Sequence, residues 1–563
     1  MLIIFIVFNK TMGQAQRYDV VIDEIMSRPS PRVGLPAVKW LELKNNSSHA
    51  IDLHGWHIGW GNSRTGLLTN YILKPDSLLL ICSAISLPQI RSLGSTISVS
   101  AFPTLNTTGQ LLSLISNDGK VIHSVSYLDS WYKDEVKRSG GWSLEMIDTH
   151  NPCGGISNWK ASKDVTGGTP GKINSVAAIN TDHIPPGLQK AFASDSINIT
   201  LTFDEPLDSV SATTITRYSI SDGILIQSVK VIPPMFDRVK LKLQNALLRD
   251  KIYTVSVAGV TDCSGNTIGS RNHVRLGLAS IADTLSVVVN EILFNPRPGG
   301  VDYIELYNRS GKILNCRQLY VANRNSGGVM SSITQLTRDS LLLFPGDYLL
   351  VTTDPKAVQE QYVSLDPNAF LPVISLPTFA NDQGDVIIAN VLGNIIDEVK
   401  YSDQWHFQLI SNTEGVALER IDHNGPSTKE NFHSAATSAG YGTPGYKNSQ
   451  YKFPGIVQGS VSVDPEVFSP DNDGLDDFAT LSYKFPSPGF VANINIYDAN
   501  GRLVKCLQKN ALCGIEGNFR WDGLGDKMQK LTIGIYIIVT EIFNVEGKKD
   551  QFRNTVVLAR RLD

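Results

Sequence analysis

The segment whose residue types most clearly suggest chemistry is the acidic loop at residues 471–477, which reads Asp-Asn-Asp-Gly-Leu-Asp-Asp. Acidic side chains at alternating positions around a glycine can wrap Ca²⁺, which takes about 6–8 oxygen ligands at about 2.3–2.6 Å. Gly474 permits the sharp turn that such a loop needs. We therefore predict a calcium site with four carboxylate ligands: Asp471, Asp473, Asp476 and Asp477. The alternative is a solvated turn, because the distal Glu of the helix-loop-helix calcium motif is missing.

A second acidic set consists of three glutamates that each occur twice, in matching contexts: Glu24 and Glu291, Glu42 and Glu305, and Glu145 and Glu419. Paired acids can perform acid–base catalysis or hold a cation. They can also accept hydrogen bonds from backbone amides where a strand leaves a sheet. Because their setting repeats together with a framework of Trp, Tyr and Gly, we predict that they are structural.

The glutamates recur because a long stretch of the chain is repeated. Val20–Met26 returns as Val287–Leu293, and Trp40–Asn45 returns as Tyr303–Asn308. Each copy closes with Gly-Thr-Pro-Gly, followed after two residues by Asn-Ser. The chain therefore contains two homologous domains, and its function must suit a tandem array.

None of the ten histidines stands in a recognisable catalytic or metal-binding motif. His54 and His57 flank a Gly-Trp pair on a predicted strand, where their spacing places them on opposite faces. Arg317 and Tyr320 take their places in the second copy, so we predict surface residues. The sequence also holds no Gly-x-Ser-x-Gly elbow, His-Glu-x-x-His or phosphate-binding glycine loop. We therefore predict a protein without enzymatic activity.

Composition and turn spacing indicate folded β-sandwiches. With 42% hydrophobic residues the chain can build packed cores, and a net charge of −4 gives no electrostatic reason to expect nucleic acid as a partner. Short runs rich in branched residues alternate with turn signals about every 8–12 residues. One helical turn is expected after Asp354, which can cap a helix that begins at Pro355. We predict an all-β chain of four tandem Ig-like β-sandwich domains.

The predicted boundaries follow the two copies: a leader at 1–15, the first repeat at 16–177, a middle domain at 178–280, the second repeat at 281–452 and a terminal domain at 453–563. The leader has a short apolar core, with Gly13 and Ala15 at the positions that a signal peptidase reads. A buried first strand is the alternative. A bilayer needs about 20 apolar residues. The sequence shows no such run, so we expect an exported chain without a transmembrane segment.

The six cysteines form no Cys-x-x-Cys pair and no metal-finger spacing. Only Cys506 and Cys513 lie close in sequence, so an oxidising compartment would allow them to form a disulfide. We expect the others to be buried small hydrophobic residues: Cys82, Cys153, Cys263 and Cys316.

The repeated unit resembles the lamin tail domain, an immunoglobulin-like β-sandwich. The resemblance is carried by Val-Ile-Asp-Glu-Ile, Trp-Leu-Glu-Leu-Lys-Asn and Leu-His-Gly-Trp in the first copy. The second copy matches at Val-Asn-Glu-Ile and Tyr-Ile-Glu-Leu-Tyr-Asn, but Leu319 replaces the Trp and Cys316 replaces the Leu. No heptad-bearing rod precedes either copy. The chain therefore looks like the secreted bacterial form of the domain rather than an intermediate filament.

The other two segments resemble different Ig-like modules. The middle one carries Phe-Asp-Glu-Pro-Leu at 203–207 and Asp-Cys-Ser-Gly-Asn at 262–266, and it looks like the Ig-like repeat of bacterial surface-layer proteins. The terminal one carries Phe-Ser-Pro-Asp-Asn-Asp-Gly at 468–474 and Trp-Asp-Gly at 521–523. It is similar to the C-terminal Ig-like module of gliding-motility-associated and flagellar-hook-capping proteins. In Bacteroidetes such modules commonly end proteins exported by the type IX route, so this resemblance implies surface display or release.

We therefore expect a secreted or cell-surface protein, non-enzymatic, whose modules act as spacers and as adhesive or scaffolding units. Its partner would be an unknown surface protein or polysaccharide. Polar loops at 59–66 and 323–328 are candidate contact surfaces. A carbohydrate-binding accessory protein is an alternative if Trp56, Trp60 or Trp131 is exposed, although buried core positions are commoner for such residues. A secreted hydrolase or nuclease is a further alternative, because lamin-tail-like modules often accompany such domains, but no unassigned segment is long enough to hold one.

Overall fold

The computed structural model describes residues 14–452 and 459–560. These residues form an all-β chain of several separate sheets with few helices, which confirms the predicted fold class. The chain divides into two compact units, Met1–Leu248 with Tyr253–Leu276 and Arg249–Ile252 with Gly277–Asp563. Most of the predicted leader lies outside the described residues. No helix in the described part is long and apolar enough to cross a membrane.

The first repeat is built from strands that pair in two facing sheets. Its elements are β1 Val20–Met26, β2 Trp40–Asn45, β3 Ile51–Asp52, β4 His57–Trp60, β5 Ser63–Arg64, β6 Ile72–Leu73, β7 Leu78–Cys82, α1 Leu87–Ile90, β8 Thr96–Ser98, β9 Gly109–Ile115, β10 Val121–Leu128, α2 Glu135–Arg138, β11 Leu144–Met146 and β12 Trp159–Ala161. One sheet has the order β12-β11-β1-β2-β7-β8 and the other β10-β9-β4-β5, with β3 and β6 as a small pair. Every residue of β1 is buried, because this strand is central to its sheet.

The middle segment forms a smaller two-sheet domain. Its elements are β13 Leu188–Ala193, β14 Asn198–Phe203, α3 Ser209–Ala212, β15 Tyr218–Ile220, β16 Ile226–Ile232, β17 Arg238–Leu243, β18 Tyr253–Val257 and β19 His273–Leu276. The sheets have the orders β13-β14-β17-β16 and β15-β18-β19. Exposed and buried residues alternate along β17, which is the two-residue period of a strand with one face on a core.

The second repeat has the same plan as the first. Its elements are β20 Val287–Leu293, β21 Tyr303–Asn308, β22 Leu314–Asn315, β23 Leu319–Arg324, β24 Met330–Gln335, β25 Leu342–Leu343, β26 Tyr348–Thr352, α4 Pro355–Gln361, β27 Phe370–Pro372, β28 Gln383–Asn390, β29 Ile395–Ser402, β30 Leu418–Arg420 and β31 Phe432–Ser434. The main sheets have the orders β27-β26-β21-β20-β30-β31 and β24-β23-β28-β29. The predicted helix is confirmed as α4, and the Asp354 side chain accepts hydrogen bonds from the amides of Lys356 and Ala357.

Matching residues of the two repeats have matching surroundings, as their conserved spacing predicts. Tyr127 donates its hydroxyl proton to the carbonyl of Asn106, and Tyr401 donates to the carbonyl of Ala380, each at 2.8 Å. The Trp131 ring packs 6.2 Å from Trp159. Likewise, Trp405 lies 5.6 Å from Phe432 in the second repeat. Neither Trp is fully in solvent, although Trp405 is less buried than Trp131.

The terminal segment forms a third kind of sandwich. Its strands are β32 Ser460–Asp464, β33 Val467–Phe468, β34 Ala479–Lys484, β35 Val491–Asp498, β36 Leu503–Leu512, β37 Glu516–Trp521, β38 Gly534–Phe543 and β39 Lys549–Leu558. The sheets have the orders β32-β34-β37 and β33-β39-β38-β35-β36. Its core contains the buried Trp521, which packs edge-on against Tyr536 at 5.2 Å.

Two of the four cysteines that we expected to be buried small hydrophobic residues form a disulfide instead, although Cys153 is buried as expected, and the pair that the sequence allowed does not form. Cys153 and Cys263, which are 110 residues apart, form a disulfide with their Cα atoms separated by 6.5 Å. Cys506 and Cys513 are unpaired, because the first is exposed on the outside of the terminal domain while the second is buried in its core. Cys82 and Cys316 are buried, as expected.

Candidate functional site

The repeated glutamates lie side by side in the sheet of the first repeat. In the strand register, Glu24 on β1 stands opposite both Glu42 on β2 and Glu145 on β11, and all three are fully buried. The Gly-Thr-Pro-Gly loop closes over them. Glu24 accepts from the Thr169 amide at 2.8 Å, and Glu42 accepts from the Gly171 amide at 2.6 Å. The acids therefore fix this loop to the sheet. We call the three glutamates and the loop that they hold the glutamate clamp.

The same clamp is present in the second repeat. Glu291 accepts from the amide of Thr443 at 3.1 Å and from its hydroxyl at 2.8 Å. Glu419 accepts from the amide of Gln450 at 2.8 Å. Burial raises the pKa of Glu419 to about 8, and the neighbouring Glu291 adds to the shift. These contacts confirm the prediction that the glutamates satisfy backbone amides, and they leave no carboxylate of either set facing solvent.

One difference between the two clamps leaves a buried oxygen without a donor. In the second repeat, the side-chain amide of Asn290 donates to Glu305 Oε1 at 2.8 Å. Asp23 takes its place in the first repeat and has no N–H to give. Glu42 Oε1 is accordingly buried without a hydrogen-bond partner among the described residues. Burial raises the pKa of Asp23 to about 7 and that of Glu42 to about 10. A proton on one of these acids would supply the missing donor.

We expect Asp23→Asn to stabilise the first repeat at pH 8 by about 1–3 kcal/mol, the usual cost of an unsatisfied buried group. An acid with a raised pKa keeps a proton that the unfolded chain releases above about pH 4. The free energy of unfolding therefore falls as the pH rises from about 4 through 7 and toward 10. Thermal unfolding at pH 5 and pH 8, followed by Trp fluorescence, measures the effect because six of the eight tryptophans lie in this repeat.

The matched control is Asn290→Asp, which should make the second repeat sensitive to alkaline pH in the same way. The explanation fails if Asp23→Asn shifts the unfolding midpoint equally at both pH values, since a protonation effect must be larger at the higher pH.

A further acidic cluster, which the sequence did not reveal, lies beside the disulfide in the first unit. Carboxylate oxygens of Asp182, Glu205 and Asp262 lie within 4.8 Å of one another. Burial raises the pKa of Glu205 to about 8, and its acidic neighbours add to the shift. Asp262 also accepts from the amides of Ser264 and Asn266 at 2.8 Å, so it shapes its own turn. The motifs at 203–207 and 262–266 contain Glu205 and Asp262, but only the fold brings the three acids together.

The predicted calcium loop is partly assembled. Oxygens of Asp471, Asp473 and Asp477 come within 4.8 Å of one another, while Asp476 is not in that group. Asp477 accepts from the amide of Asn472 at 2.6 Å and, through its other oxygen, from a second loop amide at 3.0 Å. The same side chains thus serve as acceptors within an Asx-rich turn. Calcium binding at this loop stays a prediction.

If calcium binds there, EDTA should lower the melting temperature of the terminal domain. Calcium at about 100 times its Kd would stabilise that domain by about 2.7 kcal/mol. Calorimetry of the full chain with Ca²⁺ and with EDTA tests this, and Asp473→Asn should remove the difference. Asp195→Asn is the control, because Asp195 makes similar turn contacts in the middle domain. If the wild-type protein melts at the same temperature with Ca²⁺ and with EDTA, the loop is an Asx-rich turn that does not bind calcium.

A cavity of about 450 Å³ lies beside the β4–β5 hairpin of the first repeat. Trp60 and His57 line it and are half-buried, while Arg64 is exposed at its edge. His57 Nδ1 is buried without a hydrogen-bond partner among the described residues. Burial lowers the pKa of His57, and the nearby Arg64 lowers it further. His57 therefore departs from the predicted surface position, whereas His54 is exposed as predicted.

Of the three tryptophans considered as sugar platforms, Trp60 is the one that is half-exposed, and its side chain packs against the edge of the core of the first repeat. Trp56 and Trp131 are buried in the core of the first repeat, at 2% and 6% exposure. The corresponding loop of the second repeat has no aromatic ring and satisfies its own polar groups. Asn323 donates to the carbonyl of Thr378, and Arg324 forms a two-pronged ion pair with Glu398 at 2.7 and 2.8 Å.

Comparison with protein families supports the resemblance for two segments. Residues 13–129 match the model of the Lamin Tail Domain, and residues 177–275 match that of a Bacterial Ig-like domain. No curated protein matches the sequence.

Several solved structures show weak similarity to this chain. The N-terminal part of the bacterial S-layer protein SbsC is 19% identical, with 29% of this chain and 45% of that one covered and a TM-score of 0.16. A tetra-tandem repeat from the extending region of a large adhesion protein is 10% identical over 96% and 99%, with a TM-score of 0.13. A DUF4876 family protein from Bacteroides thetaiotaomicron is 11% identical over 42% and 97%, with a TM-score of 0.17. The chain spans about half the length of the S-layer proteins, 45% and 55%.

Proposed function

We propose that this protein is a non-enzymatic, secreted or cell-surface array of β-sandwich domains that serves as a scaffold or spacer and as an adhesive. The observation that carries the proposal is how neighbouring domains are joined. In the first unit, the Cys153–Cys263 disulfide links the first repeat to the middle domain. Beside it, Arg17 stacks over the Phe236 ring at 3.9 Å and donates to the carbonyl of Leu207 at 2.8 Å. A joint that is both covalent and stacked limits bending, as a spacer requires.

The second unit has a joint of a different kind. Phe407 of the second repeat packs with Val491 and Leu512 of the terminal domain in one small apolar cluster. Beside this cluster, the amide of Ile515 donates to the carbonyl of Ser449 at 2.8 Å. Apolar burial combined with backbone hydrogen bonding resembles the inside of a domain more than a flexible linker. Within each unit, the contacts between neighbouring domains thus support a stiff joint.

The disulfide also supports a location outside the cytosol, because such bonds persist mainly in oxidising compartments. The buried glutamates support the absence of catalysis. Acids with raised pKa values are the usual candidates for acid–base work, but here they are enclosed and engaged by the Gly-Thr-Pro-Gly loop. A cleft in which a substrate could reach them would be needed for a hydrolase.

We extend the proposal to the domain families of the second repeat and of the terminal domain. We assign the second repeat as a second lamin-tail-like domain on its matching sequence and matching clamp. We assign the terminal domain as the kind of module that ends exported proteins, with the type IX route of Bacteroidetes as the route that its motifs suggest.

Labelling intact native cells with antibodies against the terminal domain tests the proposal, with cell attachment to surfaces as the second measurement. We expect labelling without cell lysis, and weaker attachment when the gene is deleted. Protein found only inside lysed cells would contradict it. Turnover of glycoside or phosphodiester substrates that is lost in Glu24→Gln would support a hydrolase instead.

A further inference from the structure

We propose that a second cavity in the first repeat binds an aromatic side chain that a partner protein presents next to a basic residue. The inference rests on the proposed adhesive function and gives that function a contact of stated chemistry. The cavity, of about 360 Å³, lies within the range of about 300–1,000 Å³ that is typical of ligand sites. It is lined by the end of β2, the start of β7, and residues from the segments 146–150 and 173–179.

In the second repeat, the matching space is occupied by four rings of the chain itself. The His423 ring stacks on Tyr307 with 3.7 Å between ring centroids, and the Tyr451 ring lies 4.5 Å from that of His423. Tyr348, on the neighbouring strand, lies 4.9 Å from Tyr307. The fold therefore has room for stacked aromatic rings at this place.

The first repeat has smaller or ring-free side chains at all four positions, and all of them line the cavity: Lys44, Leu78, Thr149 and Ala177. The backbone follows the same course in both repeats. The amide of Ala178 donates to the carbonyl of Ile147 at 3.0 Å. The matching amide of Lys452 donates to the carbonyl of Ile421 at 2.9 Å. Because only the side chains differ, the first repeat leaves open the space that rings fill in the second.

The groups inside the cavity favour an aromatic ring over an aliphatic side chain. Lys44 Nζ donates to the Thr149 hydroxyl at 3.2 Å, so its ammonium group reaches the residue that stands for His423. An ammonium group attracts the face of an aromatic ring. Leu78 and Met146 add an apolar wall. A ring that enters the cavity would therefore meet a cation and apolar side chains together.

The mouth of the cavity favours a polypeptide with a basic residue beside the ring. Ile173 and Ile179 line the cavity and are 79% and 91% exposed. Exposed apolar residues around a cavity are typical of a surface that binds another protein. Asp148 is already engaged by two backbone amides. Asp76 is exposed and makes no ion pair within the described ranges, so it is the acid that a basic neighbour of the ring would meet.

Saturation-transfer NMR of the full chain with blocked tetrapeptides tests the inference. The probe is acetyl-Gly-Tyr-Arg-Gly-amide, and the comparison peptides replace its Tyr with Leu or its Arg with Glu. We expect saturation of the Tyr ring protons, affinity about fivefold lower for the Leu peptide, and lower affinity for the Glu peptide as well. Lys44→Gln should reduce the preference for Tyr over Leu.

A filled variant, Ala177→Tyr with Thr149→His, places the rings of the second repeat in the cavity. It should melt no lower than the wild type and lose binding of the Tyr peptide. Conversely, Tyr451→Ala with His423→Thr should open a second site in the other repeat. Ile179→Ala should weaken binding at the mouth. Ile85→Ala is its matched control, because Ile85 is 87% exposed and does not line the cavity.

Three results would overturn the inference. The first is that the filled variant melts like the wild type and still binds the Tyr peptide, or, if it does not fold, that Lys44→Gln and Ile179→Ala both bind like the wild type. The second is that N-acetyl-tyrosinamide binds as tightly as the peptide, which would assign the cavity to small aromatic molecules. The third is self-association of the wild type that the filled variant lacks, which would make a second copy the occupant. In each case, surface labelling and attachment of intact cells would still decide the proposed function separately.

Discussion

Replacing Arg420 with Met should lower the free energy of unfolding of the second repeat by about 3–5 kcal/mol, because it leaves a buried carboxylate without its counter-charge. Both side chains of the Arg420–Asp397 pair are essentially inaccessible, at 0% and 1%, and their charged atoms are 3.0 Å apart. Arg420 also donates to the carbonyl of Val289 at 2.7 Å. Urea unfolding of the full chain, with the midpoint of the second repeat as the readout, measures the loss.

The first repeat supplies the control for this prediction. There, His123 and Met146 occupy the positions of Asp397 and Arg420. His123 Nδ1 accepts from the amide of Ile22 at 3.0 Å, as Asp397 accepts from the amide of Val289 at 2.8 Å. The same buried site therefore holds a neutral pair in the first repeat and an ion pair in the second.

We therefore expect the double variant Asp397→His with Arg420→Met to recover most of the stability that Arg420→Met loses. A double-mutant cycle separates this coupling from the two single effects. If the double variant is as unstable as the sum of the single variants, the two pairs are not interchangeable and the explanation is wrong.

Removal of the Cys153–Cys263 disulfide should lower the free energy of unfolding of the first unit by about 2–5 kcal/mol. The bond closes a segment of 110 residues, and the chain-entropy model gives a large stabilisation for long loops. Trp fluorescence during thermal unfolding reports mainly on the first repeat and should show the fall, either in Cys153→Ser with Cys263→Ser or after reduction with dithiothreitol.

Cys506→Ser is the control, because Cys506 is exposed and unpaired. It should change neither the first unit nor the response to the reductant. An unfolding midpoint of the first unit that is equal with and without reductant would show that the domains hold together without the bond.

The structural role of the glutamate clamp could be predicted from the sequence alone. Its acids recur in register with the Gly-Thr-Pro-Gly loop, and recurrence in two copies indicates a feature of the fold rather than of one active site. The difference between Asp23 and Asn290 is also visible in the sequence. Its effect on hydrogen bonding could not be predicted from the sequence, because a buried acceptor without a donor is recognisable only when its surroundings are known.

The difference in exposure between two neighbouring tryptophans could not be predicted from the sequence. Trp56 and Trp60 are four residues apart, yet the first is 2% exposed while the second lines a cavity. In an ideal strand, both would lie on one face. However, β4 begins only at His57 and ends in a tight turn at Gly61, whose φ is +53°. The strand therefore ends at the rim of the sandwich, where Trp60 packs against the edge of the core and stays half-exposed.

The sequence by itself determined the all-β class, the repeat and the helix after Asp354, because strand periodicity, turn residues and caps act over short distances along the chain. Tertiary structure alone decided the Cys153–Cys263 bond, the Asp182–Glu205–Asp262 cluster and the buried Arg420–Asp397 pair. Each of these joins residues that are more than 20 positions apart or lie in different strands. Their contact depends on how sheets and domains pack, and no local pattern of residues encodes that packing.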